Sequence, residues 1–118
     1  MLGVLSKSKH VVSSIAFIIT SHSNQLSVPN AAYGPTKAAV HWITIRINGE
    51  NDWLNALVLD PGFPQTDMGN FAANLMGLKE APLKLDICCG GIVQVLAAST
   101  KEKHGGKLVL YDGTIEEF

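Results

Sequence analysis

A chain of 118 residues, 47% of them hydrophobic, is one domain at most, able to bury roughly 60–70% of its unfolded surface, and is not a disordered polymer. A formal net charge of −1, with no block of like charge, excludes the Lys/Arg cluster that binding a phosphate backbone requires, so nucleic acid is not an expected partner. Cys88 and Cys89 are neighbours and cannot staple a fold, which excludes a disulfide scaffold and points to a reducing, cytoplasmic setting.

In chain order, residues 1–9 read as the tail of a helix. Lys7, Lys9 and His10 then precede an apolar run, residues 11–19, with the outline of a secretory leader. The preferred reading is a buried parallel strand over residues 14–20, centred on Ile15-Ala16-Phe17-Ile18-Ile19. The run is well short of the roughly 20 residues that span a bilayer, so no membrane segment is expected. Residues 21–29 form a polar loop, and Asn30 can cap a helix that continues to about Asn48. Pro35 falls inside its first turns, where it crowds the Ala31 carbonyl and predicts a local distortion. Val40, Ile43 and Ile47 make one apolar stripe, and Trp42 and Ile45 widen it. A helix apolar on more than one side covers something besides its own sheet: a second copy of the chain, or another segment of the same one.

Residues 49–52 turn into a second strand, residues 54–59, ended by Asp60-Pro61-Gly62. Residues 63–82 are loop-like, with a helical piece around residues 70–76. A helix over residues 84–99 points Ile87, Val93, Val95 and Leu96 inward and is weakened by Gly90-Gly91. His104-Gly105-Gly106 turns into a third strand, residues 107–111, and a short tail follows. Strand, helix, strand, helix, strand predicts an α/β fold, its parallel sheet joined by right-handed crossovers. There are no internal repeats.

The chemistry concentrates in Tyr33-Gly34-Pro35-Thr36-Lys37. A tyrosine and a lysine four residues apart on a helix project from one side of it. An ammonium beside a phenol favours the phenolate, which makes such a pair a candidate proton donor and acceptor near neutral pH. Ser21 lies at the end of the preceding strand, with Thr20 and Ser23 as competitors for any role there. The four histidines, His10, His22, His41 and His104, lack metal-ligand spacing. A Ser–His–Asp hydrolase is disfavoured because no Gly-x-Ser-x-Gly elbow occurs. Cys88 and Cys89 read as core fillers.

The run from Asn30 to Ala39 resembles the catalytic helix of the short-chain dehydrogenases/reductases. Pro61-Gly62-Phe63-Pro64-Gln65-Thr66-Asp67-Met68 is similar to the segment after that family's next strand, and Gly106-Lys107 with Tyr111-Asp112-Gly113 resembles the ending of its fungal ketoreductase branch. The resemblance implies a partial Rossmann-like fold in which residues 1–118 are the C-terminal half of the family's domain. The cofactor-binding N-terminal half is then missing, since no Gly-x-Gly-x-x-Gly or Gly-x-x-x-Gly-x-Gly occurs. The strand at residues 15–20 would then form an apolar sheet edge.

As the resemblance implies, Tyr33 is the general acid or base of carbonyl reduction or alcohol oxidation. Lys37 assists it and hydrogen-bonds the nicotinamide ribose of NADP (or NAD), and Ser21 holds the substrate oxygen. Pro61 and Gly62 let the backbone pass close to the nicotinamide, and Thr66 reaches its carboxamide or phosphate side. Phe63, Phe71, Leu75 and Met76 suggest a bulky apolar or aromatic carbonyl substrate. The expected function is therefore an NAD(P)-dependent oxidoreductase acting on a small-molecule carbonyl or alcohol, able to pair as a homo-oligomer through the helix from Tyr33 to Asn48. The alternative is a truncated, non-catalytic remnant or pairing module of a full-length reductase.

Overall fold

The computed structural model of the chain describes residues 14–18 and 32–116. Its elements are β1 (Ser14–Ile18), α1 (Tyr33–Glu50), β2 (Asn55–Asp60), α2 (Asp67–Leu75), α3 (Leu85–Ala98), α4 (Lys101–His104), β3 (Leu108–Leu110) and β4 (Ile115–Glu116). Leu54 and all six residues of β2 are buried, and that run sets the architecture. A strand paired on both edges and covered on both faces is apolar throughout instead of alternating. β2 meets both conditions: it pairs in parallel with β1, Ala16 opposite Leu57, and with β3, Leu59 opposite Val109.

The pleat sends alternate residues to opposite faces. Val58 and Leu108 pack on one face against Val40 of α1. Leu57, Leu59 and Val109 pack on the other against Val95 and Ile92 of α3, with Ile115 at the margin. The result is a three-layer α/β/α arrangement. Each of these buried aliphatic side chains contributes roughly 1.5–3 kcal/mol of hydrophobic stabilisation.

Four details differ from the sequence expectation. First, the sheet is mixed: β4 pairs antiparallel to β3, where only a short tail and an all-parallel sheet were expected. Asp112-Gly113 makes the hairpin, with Gly113 at φ +91° and the Leu110 N–H donating to the Thr114 carbonyl at 2.8 Å. Asp112 Oδ1 accepts the Thr114 N–H at 2.9 Å, and hydrogen bonding from Thr114 holds the Asp112 carboxyl below its ordinary range. Asp-Gly is a recognised hairpin signal.

Second, Pro35 costs α1 no hydrogen bond, and the Ala31 carbonyl it was expected to crowd lies outside the described residues. α1 begins at Tyr33, so Pro35 is its third residue, where a backbone N–H has no intrahelical acceptor to lose. Asn30 lies outside the described residues.

Third, the inward face of α1 is not the expected stripe. Gly34 and Thr44 are buried, Val40 and Ile47 half-buried, and Ile43 is exposed with Trp42 and Ile45. Thr44 can point at the sheet because its hydroxyl donates to the Val40 carbonyl at 2.8 Å, satisfying itself within the helix.

Fourth, α3 is rotated. Cys88 and Val95 face inward, whereas Ile87, Val93 and Leu96 are exposed. Gly91 causes this, since a Cβ there would run into the Tyr111 carbonyl oxygen. The helix can approach β3 only along the line that Gly91 offers. Gly91→Ala therefore destabilises the protein by about 1–3 kcal/mol in a denaturant melt. Gly90→Ala, with nothing within 4 Å of its added methyl, stabilises it by up to about 1 kcal/mol. Equal effects at the two glycines would contradict this account of α3.

The C-terminal end of α1 is tied to the start of β2. Lys101 of α4 donates through Nζ to the carbonyl oxygen of Asn48, to Asn48 Oδ1 at 2.9 Å, and to the carbonyls of Asn51 and Leu54 at 3.0 Å each. Those carbonyls include the orphans that every helix leaves at its C-terminus. His104 is buried beside them, its Nδ1 accepting the Thr100 N–H at 3.0 Å. Among the described residues, no helix is long and apolar enough to cross a membrane.

Candidate active site

Anchoring the last turn of α1 at the start of β2 places its first turn at the opposite, carboxyl end of the strands. There an open α/β sheet binds its ligands. Tyr33 is the first residue of α1 and keeps 40% of its surface exposed. Lys37 sits one turn on, its ammonium 5.3 Å from the centre of the Tyr33 ring, within cation–π range. Gly34 between them is buried, so the backbone beneath the pair is packed, with Lys37 itself half-buried. Thr36 Oγ1 donates to the Tyr33 carbonyl at 2.6 Å.

The β2–α2 connection reaches the same end of the sheet. Asp60 Oδ1 accepts the Gly62 N–H at 2.8 Å, an Asx-type turn, and Gly62 takes φ +74°. A Cβ at Gly62 would lie 3.0 Å from the Tyr111 ring and 3.1 Å from Leu83, so glycine is required on two counts. The Cys88 thiol donates to the Pro61 carbonyl at 3.2 Å. Residues 63–65 lie beside Leu83, with the Gln65 N–H on the Leu83 carbonyl at 2.8 Å and the Leu83 N–H on the Phe63 carbonyl at 3.1 Å. Thr66 then caps α2, its Oγ1 accepting the Gly69 N–H at 3.0 Å, which leaves its hydroxyl proton to donate. Along α2, Met68, Phe71 and Leu75 stand exposed on one side, spaced as one helical face.

Of the expected site residues, Tyr33 and Lys37 are placed together, and Pro61, Gly62 and Thr66 lie along the single connection from β2 to α2, at the same end of the sheet. Ser21, with Thr20 and Ser23, lies outside the described residues. Sequence reasoning passed over Asp60, Cys88 and Tyr111, which support the turn. The Asp-x-Gly spacing of Asp60 and Gly62 was the available signal for the first. The cysteines separate: Cys88 is buried and Cys89 exposed, so only Cys88 fills the core. Burial, and then the charges of Cys89 and Asp60, push the Cys88 thiol up. Because the thiolate is the nucleophile, iodoacetamide modifies Cys89 and spares Cys88 in the native protein, as peptide mass mapping would read. Equal labelling would contradict this placement.

A groove of about 660 Å³ runs between α3 and the β3–β4 turn, lined by Asp86, Gln94, His104 and Tyr111 among others. None of the expected site residues lines it. Among the described residues, no cluster of side chains could hold a metal ion.

No family model matches the chain. Over 94 residues it is 40% identical to the norsolorinic acid ketoreductase of Dothistroma septosporum, an alignment covering 80% of this chain and 35% of that protein. Over 106 residues it is 35% identical to a short-chain dehydrogenase of Pyricularia oryzae, covering 89% of this chain and 42% of that one. Among solved structures it resembles the carbonyl reductase Sniffer of D. melanogaster, with TM-score 0.66 and 25% identity over 87% of this chain and 41% of that chain. The NADPH-bound carbonyl reductase from chicken fatty liver matches in fold, with TM-score 0.69 and 22% identity over 89% of this chain and 42% of that one. The chain thus spans 35–42% of the length of these two curated relatives.

Proposed function

Because the chain belongs to the short-chain dehydrogenase/reductase family, we propose that it is the catalytic, C-terminal part of an NADP-dependent carbonyl reductase of the ketoreductase type. The observation that carries this is the pairing of Tyr33 with Lys37 at the first turn of α1, at the carboxyl end of the strands where the Pro61–Gly62 turn also lies.

The residues present suit the nicotinamide end of a dinucleotide. Tyr33 is part-exposed at the head of α1 with the Lys37 ammonium beside its ring, Gly62 presents backbone without a side chain, and the Thr66 hydroxyl retains a proton to donate. Tyr33 and Lys37 would hold the ribose, with Pro61, Gly62 and Thr66 at the carboxamide side. When bound, the reduced cofactor supplies a hydride to the carbonyl carbon. Tyr33 gives its phenolic proton to the carbonyl oxygen as that carbon is reduced, so the product is the alcohol. Lys37, close to the ring, stabilises the negative charge left on the phenolate. Ser21 hydrogen-bonds the substrate oxygen and polarises it. The exposed apolar side of α2 would meet a bulky or aromatic carbonyl compound.

Carbonyl-dependent oxidation of NADPH by the native protein carrying this chain tests the reading. Turnover of bulky aromatic ketones in preference to small aliphatic ones is expected. Failure to oxidise NADPH with any carbonyl, together with failure to bind it, would sink the proposal.

A second role is favoured by one observation: α1 turns Trp42, 66% exposed, outward beside exposed Ile43 and Ile45. This face pairs the protein with a second copy or with a full-length reductase. Sedimentation then shows an assembly that Trp42→Glu dissociates; a monomer at all concentrations, alone or mixed with the full-length reductase, would remove the idea.

A further inference from the structure

Asp60, the last residue of β2, is only 2% exposed, a place carboxylates rarely occupy without a specific partner. Its Oδ1 accepts the Gly62 N–H at 2.8 Å, and its carbonyl accepts the Tyr111 N–H at 2.9 Å. Two further contacts close on the residues that follow, Pro61 and Gly62. The Cys88 thiol donates to the Pro61 carbonyl at 3.2 Å, and the Tyr111 ring packs against the Gly62 backbone, 3.0 Å from where a Cβ would stand. β2, α3 and the end of β3 thus converge on one turn. Pro-Gly forms a turn unaided, so these contacts do more than reverse the chain.

We propose that Asp60 is a positioning residue for the nicotinamide-side backbone: its carboxylate draws the Gly62 N–H inward and fixes which way the following peptides face the site. The proposal rests on the reductase reading above. Of the three contacts made on Pro61 and Gly62, the charged acceptor is the strong one, since a thiol is a weak donor and the ring contact is undirected. A turn held in shape before the cofactor arrives avoids an ordering cost at binding. Hydrogen bonds to charged groups contribute about 1.5–3 kcal/mol, which corresponds to roughly a 10- to 100-fold change in affinity.

The test compares Asp60→Ala and Asp60→Asn in the native protein carrying this chain, reading Gly62 amide exchange by NMR and NADPH affinity by titration. Asp60→Ala is expected to speed Gly62 exchange and weaken NADPH binding roughly 10- to 100-fold, with KM for the carbonyl little changed. Asp60→Asn keeps an acceptor oxygen and is expected to restore most of both. Should Asp60→Ala fail to fold, Asp60→Val removes the acceptor while suiting a strand and takes the same two readings.

Unchanged Gly62 exchange without the acceptor overturns the proposal. So does unchanged NADPH affinity, or an asparagine variant as impaired as the alanine one. If the wild-type protein binds no NADPH, the reductase reading fails and the positioning role falls with it. Wild-type binding with an unaffected alanine variant overturns the positioning role alone.

Discussion

Tyr33→Phe lowers kcat for carbonyl reduction by roughly 10²–10⁴-fold, the usual contribution of a placed general acid, while NADPH binding stays close to wild type. The phenyl ring keeps its position at the head of α1 and still offers its face to the Lys37 ammonium, 5.3 Å from the ring centre. Only the transferable proton is lost. An interaction made only in the transition state lowers kcat and kcat/KM together, so a parallel fall in both is the expected signature. On the proposed reading Lys37→Met differs: it takes the cation from the ring and a donor from the ribose, so NADPH affinity and kcat are both expected to decline. A Tyr33→Phe enzyme that retained its turnover would remove Tyr33 from the chemistry.

Lys101→Met is expected to have the largest effect on stability, about 2–4 kcal/mol in a urea or guanidinium melt. Its three N–H groups are shared among the Asn48, Asn51 and Leu54 carbonyls and Asn48 Oδ1. Hydrogen bonds to a charged donor contribute about 1.5–3 kcal/mol, and an acceptor left unpaired costs a desolvation penalty besides. Part of this is offset by the rotamer freedom that Lys101 gives up in the folded state. The positive charge also complements the C-terminal end of the α1 dipole. Methionine fills nearly the same space and supplies no donor, so the effect isolates the ammonium. Lys101→Arg recovers only part of it, because a planar fork cannot reproduce the converging geometry of a compact ammonium. A loss under about 0.5 kcal/mol, typical of surface substitutions, would show that these carbonyls find water instead.

How much of this was legible in the sequence depends on which physical signal each element carries. β2 announces itself because Ala56 through Leu59 are apolar on both faces, and the α/β class follows from helices of the right length on either side. The faces of α1 and α3 were misread for one reason. Both choose their inward side by small or self-satisfied residues, Thr44 and Gly91, and hydrophobic periodicity ignores such residues. β4 was hidden by its length of two residues, although Asp112-Gly113 marked its turn. At the site, Tyr33 and Lys37 were readable because their spacing is helical. The support given to Gly62 by Asp60, Cys88 and Tyr111 was not, because the three come from separate segments of the chain. The outward apolar surfaces of α1 and α2 were legible from residues such as Trp42, Ile45 and Phe71, whereas Ile87, Val93 and Leu96 of α3 were legible as apolar but not as outward.

The most direct test of hydride transfer uses NADPH deuterated at its transferable position, with an aromatic ketone, and mass analysis of the alcohol formed. The native protein carrying this chain should yield alcohol with one deuterium on the carbinol carbon, and Tyr33→Phe should yield almost none in the same time. Unlabelled alcohol, or no alcohol while the labelled cofactor remains bound and unconsumed, would contradict the assignment of Tyr33 and Lys37 to carbonyl reduction.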